Sequence, residues 1–115
     1  MVCRYLLERG HRILERNWRH SHLEIDIISI DAHGLHIIEV KSRTLPELAE
    51  PEQNVDYRKK ARLVRAAKAY LSSPQAGEMK GSPELFFDVA TVEFAPQGDG
   101  YEVKYYPQAF IPMYL

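Results

Sequence analysis

Two runs of alternating aliphatic and ionisable residues, joined by a four-residue turn, constrain the fold of this chain most strongly. Residues 23–30 (LEIDIISI) and 35–42 (LHIIEVKS) are rich in β-branched and aliphatic side chains, which favours strands. The connecting Asp31-Ala-His-Gly34 pairs an aspartate that can bond its own backbone with a glycine that can adopt positive φ. The pattern therefore predicts a β-hairpin.

Side-chain alternation in this hairpin groups ionisable residues on one face. Successive side chains of a strand point to opposite faces, so Glu24 and Asp26 share a face on the first strand. Glu39 and Lys41 share a face on the second strand in the same way. A symmetric turn sets Asp26 opposite Glu39, and it sets Glu24 opposite Lys41. We expect these four side chains to form one patch.

Two directly opposed carboxylates require a compensating positive charge, since their Cβ atoms lie only about 4.5–5.5 Å apart. Mg²⁺ is a natural counter-ion, because it typically takes one or two protein carboxylates and completes its shell with water and substrate phosphate; Mn²⁺ is an alternative. Lys41 could then contact the attacking water or the phosphate, as metal-assisted phosphodiester hydrolysis requires. The alternative interpretation is an ordinary amphipathic hairpin with a Glu24–Lys41 ion pair and a solvated Asp26.

The remaining elements complete an α/β order. Apolar residues at near-helical spacing (Val55, Tyr57, Ala61, Val64, Ala67 and Leu71) predict a long helix over residues 54–72. A short helix is predicted over 2–9, and strands over 12–19, 85–94 and 101–106, with Pro107 and Pro112 breaking the tail. Residues 45–52 and 72–83 are predicted loops, and 95–100 a turn. The order α-β-β-β-α-β-β predicts a mixed β-sheet flanked by helices in one domain spanning residues 1–115.

The near-neutral net charge of −1 conceals a segregation of charge along the chain. Residues 1–68 carry 13 basic and 10 acidic side chains, whereas residues 69–115 carry 2 basic and 6 acidic ones. Within the first part, residues 44–56 hold four acids and no base, whereas residues 57–68 of the predicted helix hold six basic residues and no acid (Arg58, Lys59, Lys60, Arg62, Arg65 and Lys68). Such a run is either a solvated helix face or a surface for a polyanion.

Composition excludes several other classes. No apolar run is long enough to cross a bilayer, and the N-terminus lacks a signal-peptide pattern, so we expect a cytoplasmic protein with no membrane partner. Cys3 is the only cysteine, which excludes an intrachain disulfide and cysteine-based metal motifs. The five histidines lack the spacing of a zinc motif. No glycine-rich phosphate loop occurs.

Several of these motifs occur together in one family. Asp26, followed thirteen residues later by Glu39-Val-Lys41, looks like the D…(D/E)-x-K signature of restriction-endonuclease-like nucleases. The wider strings GHRILERNWR (10–19), EIDII (24–28), IEVKSR (38–43), VDYRK (55–59) and FDV (87–89) resemble the YraN-like family of small bacterial proteins, which are related to archaeal Holliday-junction resolvases.

The resemblance implies a restriction-endonuclease-like core in which Asp26 and Glu39 hold Mg²⁺ with help from the Val40 carbonyl, while Lys41 assists the water. The implied activity is structure-selective cleavage of branched DNA, and a homodimer is the implied assembly, since archaeal resolvases are dimeric. Four basic residues near this site are expected to contact DNA phosphates: Arg43, Arg58, Lys59 and Arg62.

The sequence departs from the family in one respect. Relatives carry a Gly-Glu pair in the first helix, ahead of the stretch that matches residues 2–6, and in this sequence that acid would fall upstream of Met1. We therefore expect the helix acid to be missing from the metal site. Two functions remain open: a metal-dependent endonuclease, or a non-catalytic nucleic-acid-binding or scaffold protein that retains the nuclease fold.

Overall fold

A five-stranded mixed sheet carries one helix on each face. The computed structural model describes residues 1–44, 57–77, 84–98 and 100–110. The elements are α1 (Val2–Glu8), β1 (Arg12–His20), β2 (Leu23–Ile30), β3 (Leu35–Thr44), α2 (Tyr57–Leu71), a 3₁₀ turn (Pro74–Ala76), β4 (Leu85–Phe94) and β5 (Tyr101–Phe110). The predicted α/β class, a mixed sheet flanked by helices in the order α-β-β-β-α-β-β, is confirmed.

The strands lie side by side in chain order, β1-β2-β3-β4-β5. All neighbouring pairs are antiparallel except β3 and β4, which run parallel. Parallel neighbours cannot be joined by a tight turn, so the chain must cross over one face of the sheet between them, and α2 is the helix of that crossover. The basic helix is thereby placed directly after the strand that carries Glu39 and Lys41.

The predicted hairpin register is confirmed where β2 and β3 pair, from Ile30–Leu35 to Ile27–Ile38. The turn between the strands is closed by the Asp31 carboxylate, whose Oδ1 accepts the backbone N–H of His33 at 2.9 Å. This symmetric turn is the condition on which the juxtaposition of Asp26 and Glu39 depended.

Gly34 is required at the end of that turn. Its φ is +153°, and a Cβ atom there would lie 2.4 Å from the carbonyl oxygen of Glu84. The same carbonyl accepts the N–H of Leu35 at 2.8 Å. A side chain at position 34 would therefore displace the start of β4 from the hairpin.

Two apolar clusters hold the helices to the sheet. On the α2 face, buried side chains of the helix pack on β1 to β4 (Trp18, Ile25, Ile28, Leu35, Ile37, Leu63, Val64, Ala66, Ala67, Tyr70, Ala76 and Phe87). On the α1 face the cluster is smaller (Val2, Leu6, Ile27, Ile38, Ala90 and Val92). Tyr57, which the helical spacing predicts to be an apolar position of the long helix, is instead 65% exposed, because a different side chain of that first turn, Lys59, faces the sheet and contacts Glu39 of β3.

One predicted boundary is wrong by more than two residues, and some predictions lie outside the described residues. β5 continues through Pro107 to Phe110, because β5 is an edge strand, where a missing N–H is tolerated, and the β4–β5 ladder is irregular between Phe87 and Val89. Outside the described residues lie the loop predicted at 45–52, residues 54–56 of the predicted helix, residues 78–83 of the loop predicted at 72–83, and Pro112.

The structure also bears on membrane insertion. Its longest described helix, α2, has 15 residues and carries the run of basic side chains. In the ranges that the structure describes, no helix combines the length and apolarity needed to cross a membrane.

Candidate active site

Asp26 lies at an irregular point of β2. Ile25 and Ile28 both belong to the cluster beneath α2, whereas Ile27 belongs to the cluster beside α1. Strict alternation would place Ile25 and Ile27 on the same face, so the alternation assumed from the sequence fails between them. Asn17, on the neighbouring strand between the residues paired with Ile25 and Ile27, has a left-handed φ of 53°. The Asp26 side chain consequently borders recesses on both faces of the sheet.

The Asp26 carboxylate is held against β3 by a backbone hydrogen bond. Its Oδ2 accepts the N–H of Val40 at 2.8 Å, just beyond the last paired residues of the hairpin, Ile27 and Ile38. Because Val40 follows Glu39, this bond keeps the two acids in adjacent positions on neighbouring strands. An ionised carboxylate accepts such a bond well and retains lone pairs for other ligands.

Glu39 is a largely buried acid with a lysine beside it. Its side chain is 12% exposed, and its Oε1 lies 2.9 Å from Lys59 Nζ. Burial raises the pKa of Glu39 above its ordinary value and the Asp26 carboxylate raises it further, whereas the charges of Lys59 and Lys41 oppose the rise. The pair of acids therefore creates a local demand for positive charge, as expected from the sequence.

A cleft of about 230 Å³ brings these groups together between the start of β2, β3 and the start of α2. We call it the carboxylate cleft, and it is lined by His22, Leu23, Glu24, Asp26, Glu39, Lys59, Arg62 and Leu63. It thus contains both predicted metal-binding acids and two of the predicted phosphate contacts. Arg58, one helical turn before Arg62, is exposed on the same helix.

Lys41 and Arg43 follow Glu39 on β3 but have different surroundings. Lys41 is half-buried and close enough to Glu39 for its charge to lower that residue's pKa. Arg43 donates from Nε to Glu93 Oε2 at 2.8 Å, and their side chains are 14% and 1% exposed. The structure therefore brings Lys41 toward the acids, whereas the Arg43 guanidinium is engaged in an ion pair within the sheet.

Glu24 is not one of the two expected metal ligands, yet its side chain lines the carboxylate cleft. It pairs with Arg19 at 3.8 Å, and it is 46% exposed. Its position at the rim follows from its place near the start of β2. The hairpin pattern had already placed Glu24 on the acidic patch, so the signal was present in the sequence.

A second polar group has no counterpart among the predicted sites: His11, Asp31 and His36, which we call the histidine cluster. It lies at the turn end of the same hairpin and includes His11, which immediately precedes β1. The sequence carried no spacing signal for it, because the three residues belong to different elements and meet only when the sheet forms.

Comparison with known proteins identifies relatives along most of the chain. The model of the uncharacterised protein family UPF0102 matches residues 1–92, a span that includes every residue proposed for the carboxylate cleft. A UPF0102 protein of Chlorobium phaeobacteroides is 42% identical over 88 residues, which cover 76% of this chain and 67% of the relative. One of Bacteroides thetaiotaomicron is 37% identical over 108 residues, covering 94% and 84%. One of Oleidesulfovibrio alaskensis is 48% identical over 72 residues, covering 63% of this chain and 36% of that protein.

Proposed function

The chain belongs to the UPF0102 family, and from this premise and the geometry of the carboxylate cleft we propose that it is a Mg²⁺-dependent, structure-selective DNA endonuclease. One observation carries the proposal. Asp26 and Glu39 lie on adjacent strands in one cleft with Lys59 and Arg62, and the nearby Lys41 follows Glu39 by two residues. Phosphodiester hydrolysis needs this combination of carboxylate oxygens and positive charge around one phosphate.

The donor set of the cleft fits a hard divalent cation. Both Asp26 and Glu39 offer carboxylate oxygens, the ligands that Mg²⁺ and Mn²⁺ prefer, and the raised pKa of Glu39 reflects its burial as well as its proximity to Asp26. When bound, such an ion polarises a phosphoryl oxygen and makes a coordinated water more acidic. Asp26 and Glu39 are the residues that would hold it.

The side chains around the acids have distinct tasks in this proposal. Lys59, at 2.9 Å from Glu39, neutralises that acid, and with a divalent ion at Glu39 it would contact a phosphate instead. Lys41 orients the attacking water or stabilises charge on the phosphate. Arg58 and Arg62, one turn apart on α2, contact phosphates of the duplex on either side of the cut. Because Arg43 forms an ion pair with Glu93, we assign no phosphate contact to Arg43.

A second candidate function is non-catalytic binding of nucleic acid. The specific observation in its favour is the ion pair between Lys59 and Glu39. Because Lys59 already compensates the charge of Glu39, that acid does not require a metal ion for this purpose. In that case α2 would still bind phosphates, but no bond would be hydrolysed. The two functions share a binding surface and differ in whether the carboxylates act.

A cleavage assay separates the two functions. Four-way junction, flap and linear DNA are incubated with the protein in Mg²⁺ or Mn²⁺, and the wild type is compared with Asp26→Asn and Lys41→Ala. The endonuclease proposal expects cleavage of a branched substrate that both substitutions abolish. Glu102→Gln, an exposed carboxylate on β5, is the matched control and should cut normally.

Two results would contradict the endonuclease. Cleavage that survives both substitutions would show that the carboxylate cleft is not the active site. Retarded migration of branched DNA with no cleavage in either metal would favour the binding protein. The homodimer that the family resemblance implies is part of this proposal, and the mass of the protein in solution, measured with and without DNA, tests it.

A further inference from the structure

We propose that the histidine cluster of His11, Asp31 and His36 is a binding site for a divalent transition-metal ion of the Zn²⁺ type, separate from the carboxylate cleft. The three residues come from the segment just before β1, the β2–β3 turn and β3. Each offers one ligand atom, and these atoms all lie within 4.8 Å of one another.

The distances within the cluster suit a small ion after modest rearrangement. His11 Nε2 lies 3.4 Å from Asp31 Oδ2, and His36 Nε2 lies 2.9 Å from Asp31 Oδ1. With metal–ligand bonds of about 2.0–2.2 Å, neighbouring ligands of a tetrahedral zinc ion lie roughly 3.3–3.6 Å apart. The aspartate already lies between the two imidazoles, so the ion would take the place of the direct contacts.

The cluster is enclosed by the fold, unlike a chance grouping of surface residues. The side chains of His11 and His36 are each 8% exposed, and that of Asp31 is 13% exposed. The two imidazole rings lie 4.6 Å apart, and His36 also stacks on Phe86. Burial of this kind reduces competition from water for the ligand atoms, while the small exposed fraction leaves a route for the ion.

The far ring nitrogens of both histidines are already engaged. His11 Nδ1 lies 2.8 Å from Ser29 Oγ, and His36 Nδ1 lies 2.6 Å from Asp88 Oδ2. Histidines that bind metals characteristically use the second nitrogen in this way, because the bond holds the ring orientation and selects the tautomer. Both Nε2 atoms are therefore directed at Asp31.

Asp88 is itself held in place from β5. The Tyr105 hydroxyl donates to Asp88 Oδ2, and the N–H of Gln108 donates to Oδ1 at 2.8 Å. The side chain of Asp88 is fully buried. A buried carboxylate supported by two donors, and bonded in turn to a ligand histidine, matches the surroundings of known histidine–metal sites.

Loading the site changes the protonation of His36. Its Nδ1 lies 2.6 Å from Asp88 Oδ2 and its Nε2 lies 2.9 Å from Asp31 Oδ1, so each ring nitrogen already faces a carboxylate oxygen. An ion bound at Nε2 would replace the proton on that nitrogen, and the proton would leave to solvent.

The nature of the ligands determines which ions fit. Two imidazole nitrogens and one carboxylate suit Zn²⁺, Co²⁺ or Ni²⁺, whereas Mg²⁺ prefers all-oxygen surroundings such as the carboxylate cleft. The chain would therefore hold two chemically different ion sites at opposite ends of one hairpin. An ion here would also link β1 to the β2–β3 turn and so stabilise the sheet.

Metal titration of the whole chain tests the proposal. Metal-free protein is titrated with Co²⁺ and with Zn²⁺, following visible absorption and the melting temperature. We expect one equivalent to bind, with visible Co²⁺ bands and a rise in melting temperature with Zn²⁺. His11→Gln and Asp31→Asn should each weaken Zn²⁺ binding at least about tenfold. His33→Ala, an exposed histidine in the same turn, is the matched control and should bind like the wild type.

A double variant, Asp26→Asn with Glu39→Gln, distinguishes this site from the carboxylate cleft. Undiminished Zn²⁺ binding by that variant supports the proposal, and loss of binding would overturn it by placing the ion in the cleft. Should His11→Gln fail to fold, the imidazole resonances of the wild type decide the question. Shifts confined to two of the five histidines on addition of Zn²⁺ support the site, and unshifted histidines overturn it.

Discussion

The carboxylate cleft and the histidine cluster occupy opposite ends of the β2–β3 hairpin and differ in how their charges are satisfied. In the cleft, Glu39 is buried beside Asp26, and a side chain from α2 supplies compensation. In the cluster, the two ring nitrogens of His36 each form a hydrogen bond with a carboxylate, one with Asp88 and the other with Asp31. The cleft therefore keeps an unfavourable pair of charges beside solvent, whereas the cluster neutralises its charge inside the fold.

This difference predicts where substitutions act. Groups whose environment opposes their charge are typical of functional sites, since a ligand or transition state relieves the conflict. Groups fully bonded to one another contribute to the folded state, and removal of one partner leaves the others buried without compensation. We expect cleft substitutions to change activity more than stability, and cluster substitutions to do the reverse in metal-free protein.

The largest expected effect is on stability, at the cluster. His36→Leu removes the partner that lies between Asp31 and Asp88, and it should lower the free energy of unfolding by about 3–5 kcal/mol in metal-free protein. Urea denaturation measures the change. A loss below about 1 kcal/mol would mean that the cluster is not a stabilising network, and it would contradict the expected difference in stability effects between the cluster and the cleft.

Next in size is the ion pair between Arg43 and buried Glu93. Arg43→Ala leaves Glu93 paired with Lys104, at 3.3 Å, and should cost about 3 kcal/mol, near the lower limit for losing one partner of a buried pair. The same denaturation experiment detects it. If stability were unchanged and only DNA affinity fell, the phosphate contact first expected for Arg43 would be restored.

At the cleft, Asp26→Asn should separate activity from stability. Asparagine can still accept the Val40 N–H, so the free energy of unfolding should change by at most about 1 kcal/mol. Cleavage should fall at least about 100-fold, equivalent to about 2.7 kcal/mol in the barrier, because a ligand of the ion is lost. Cleavage rates on branched DNA measure the loss of activity, and urea denaturation of the same preparation measures the free energy of unfolding. A large loss of stability would contradict the expectation that cleft substitutions act mainly on activity.

The smallest expected effect concerns binding. Removing Lys59 and Arg62 together should weaken binding to every duplex by a similar factor, and it should reduce the slope of log affinity against log salt by about 2, one for each phosphate contact. Titrations at several salt concentrations measure the slope. Lys104→Ala, which removes a cation on the edge strand β5, should leave the slope unchanged; an unaltered slope in the double variant would exclude α2 as the contact surface.

Much of the fold was predictable because its signals are local. The hairpin register follows from a symmetric four-residue turn, and pairing from Ile30–Leu35 to Ile27–Ile38 agrees with it. Helix α2 was predictable from helical spacing. The exposure of Tyr57 was not, because only the position of the helix relative to the sheet decides which of its side chains the sheet covers. Strand β5 ran past its predicted end because an edge strand accommodates a proline that an interior strand would reject.

The candidate site also combines features that local sequence predicts with features that depend on the assembled sheet. The acids and basic residues of the carboxylate cleft lie along two paired strands and the next helix, so the hairpin register and the run of basic residues indicated them from the sequence. The irregularity at Asp26 and the capture of Arg43 by Glu93 required the sheet itself, because both depend on neighbours contributed by other strands.

The sequence by itself determined the order of elements, the hairpin that carries Asp26 and Glu39, and the basic character of α2, because periodicity, turn chemistry and charge act over a few residues. The tertiary structure alone decided which cation reaches Glu39, and it alone brought His11, Asp31 and His36 together. The physical reason is distance along the chain: His36 and Asp88 are 52 positions apart and meet only because β3 and β4 run parallel on either side of the crossover.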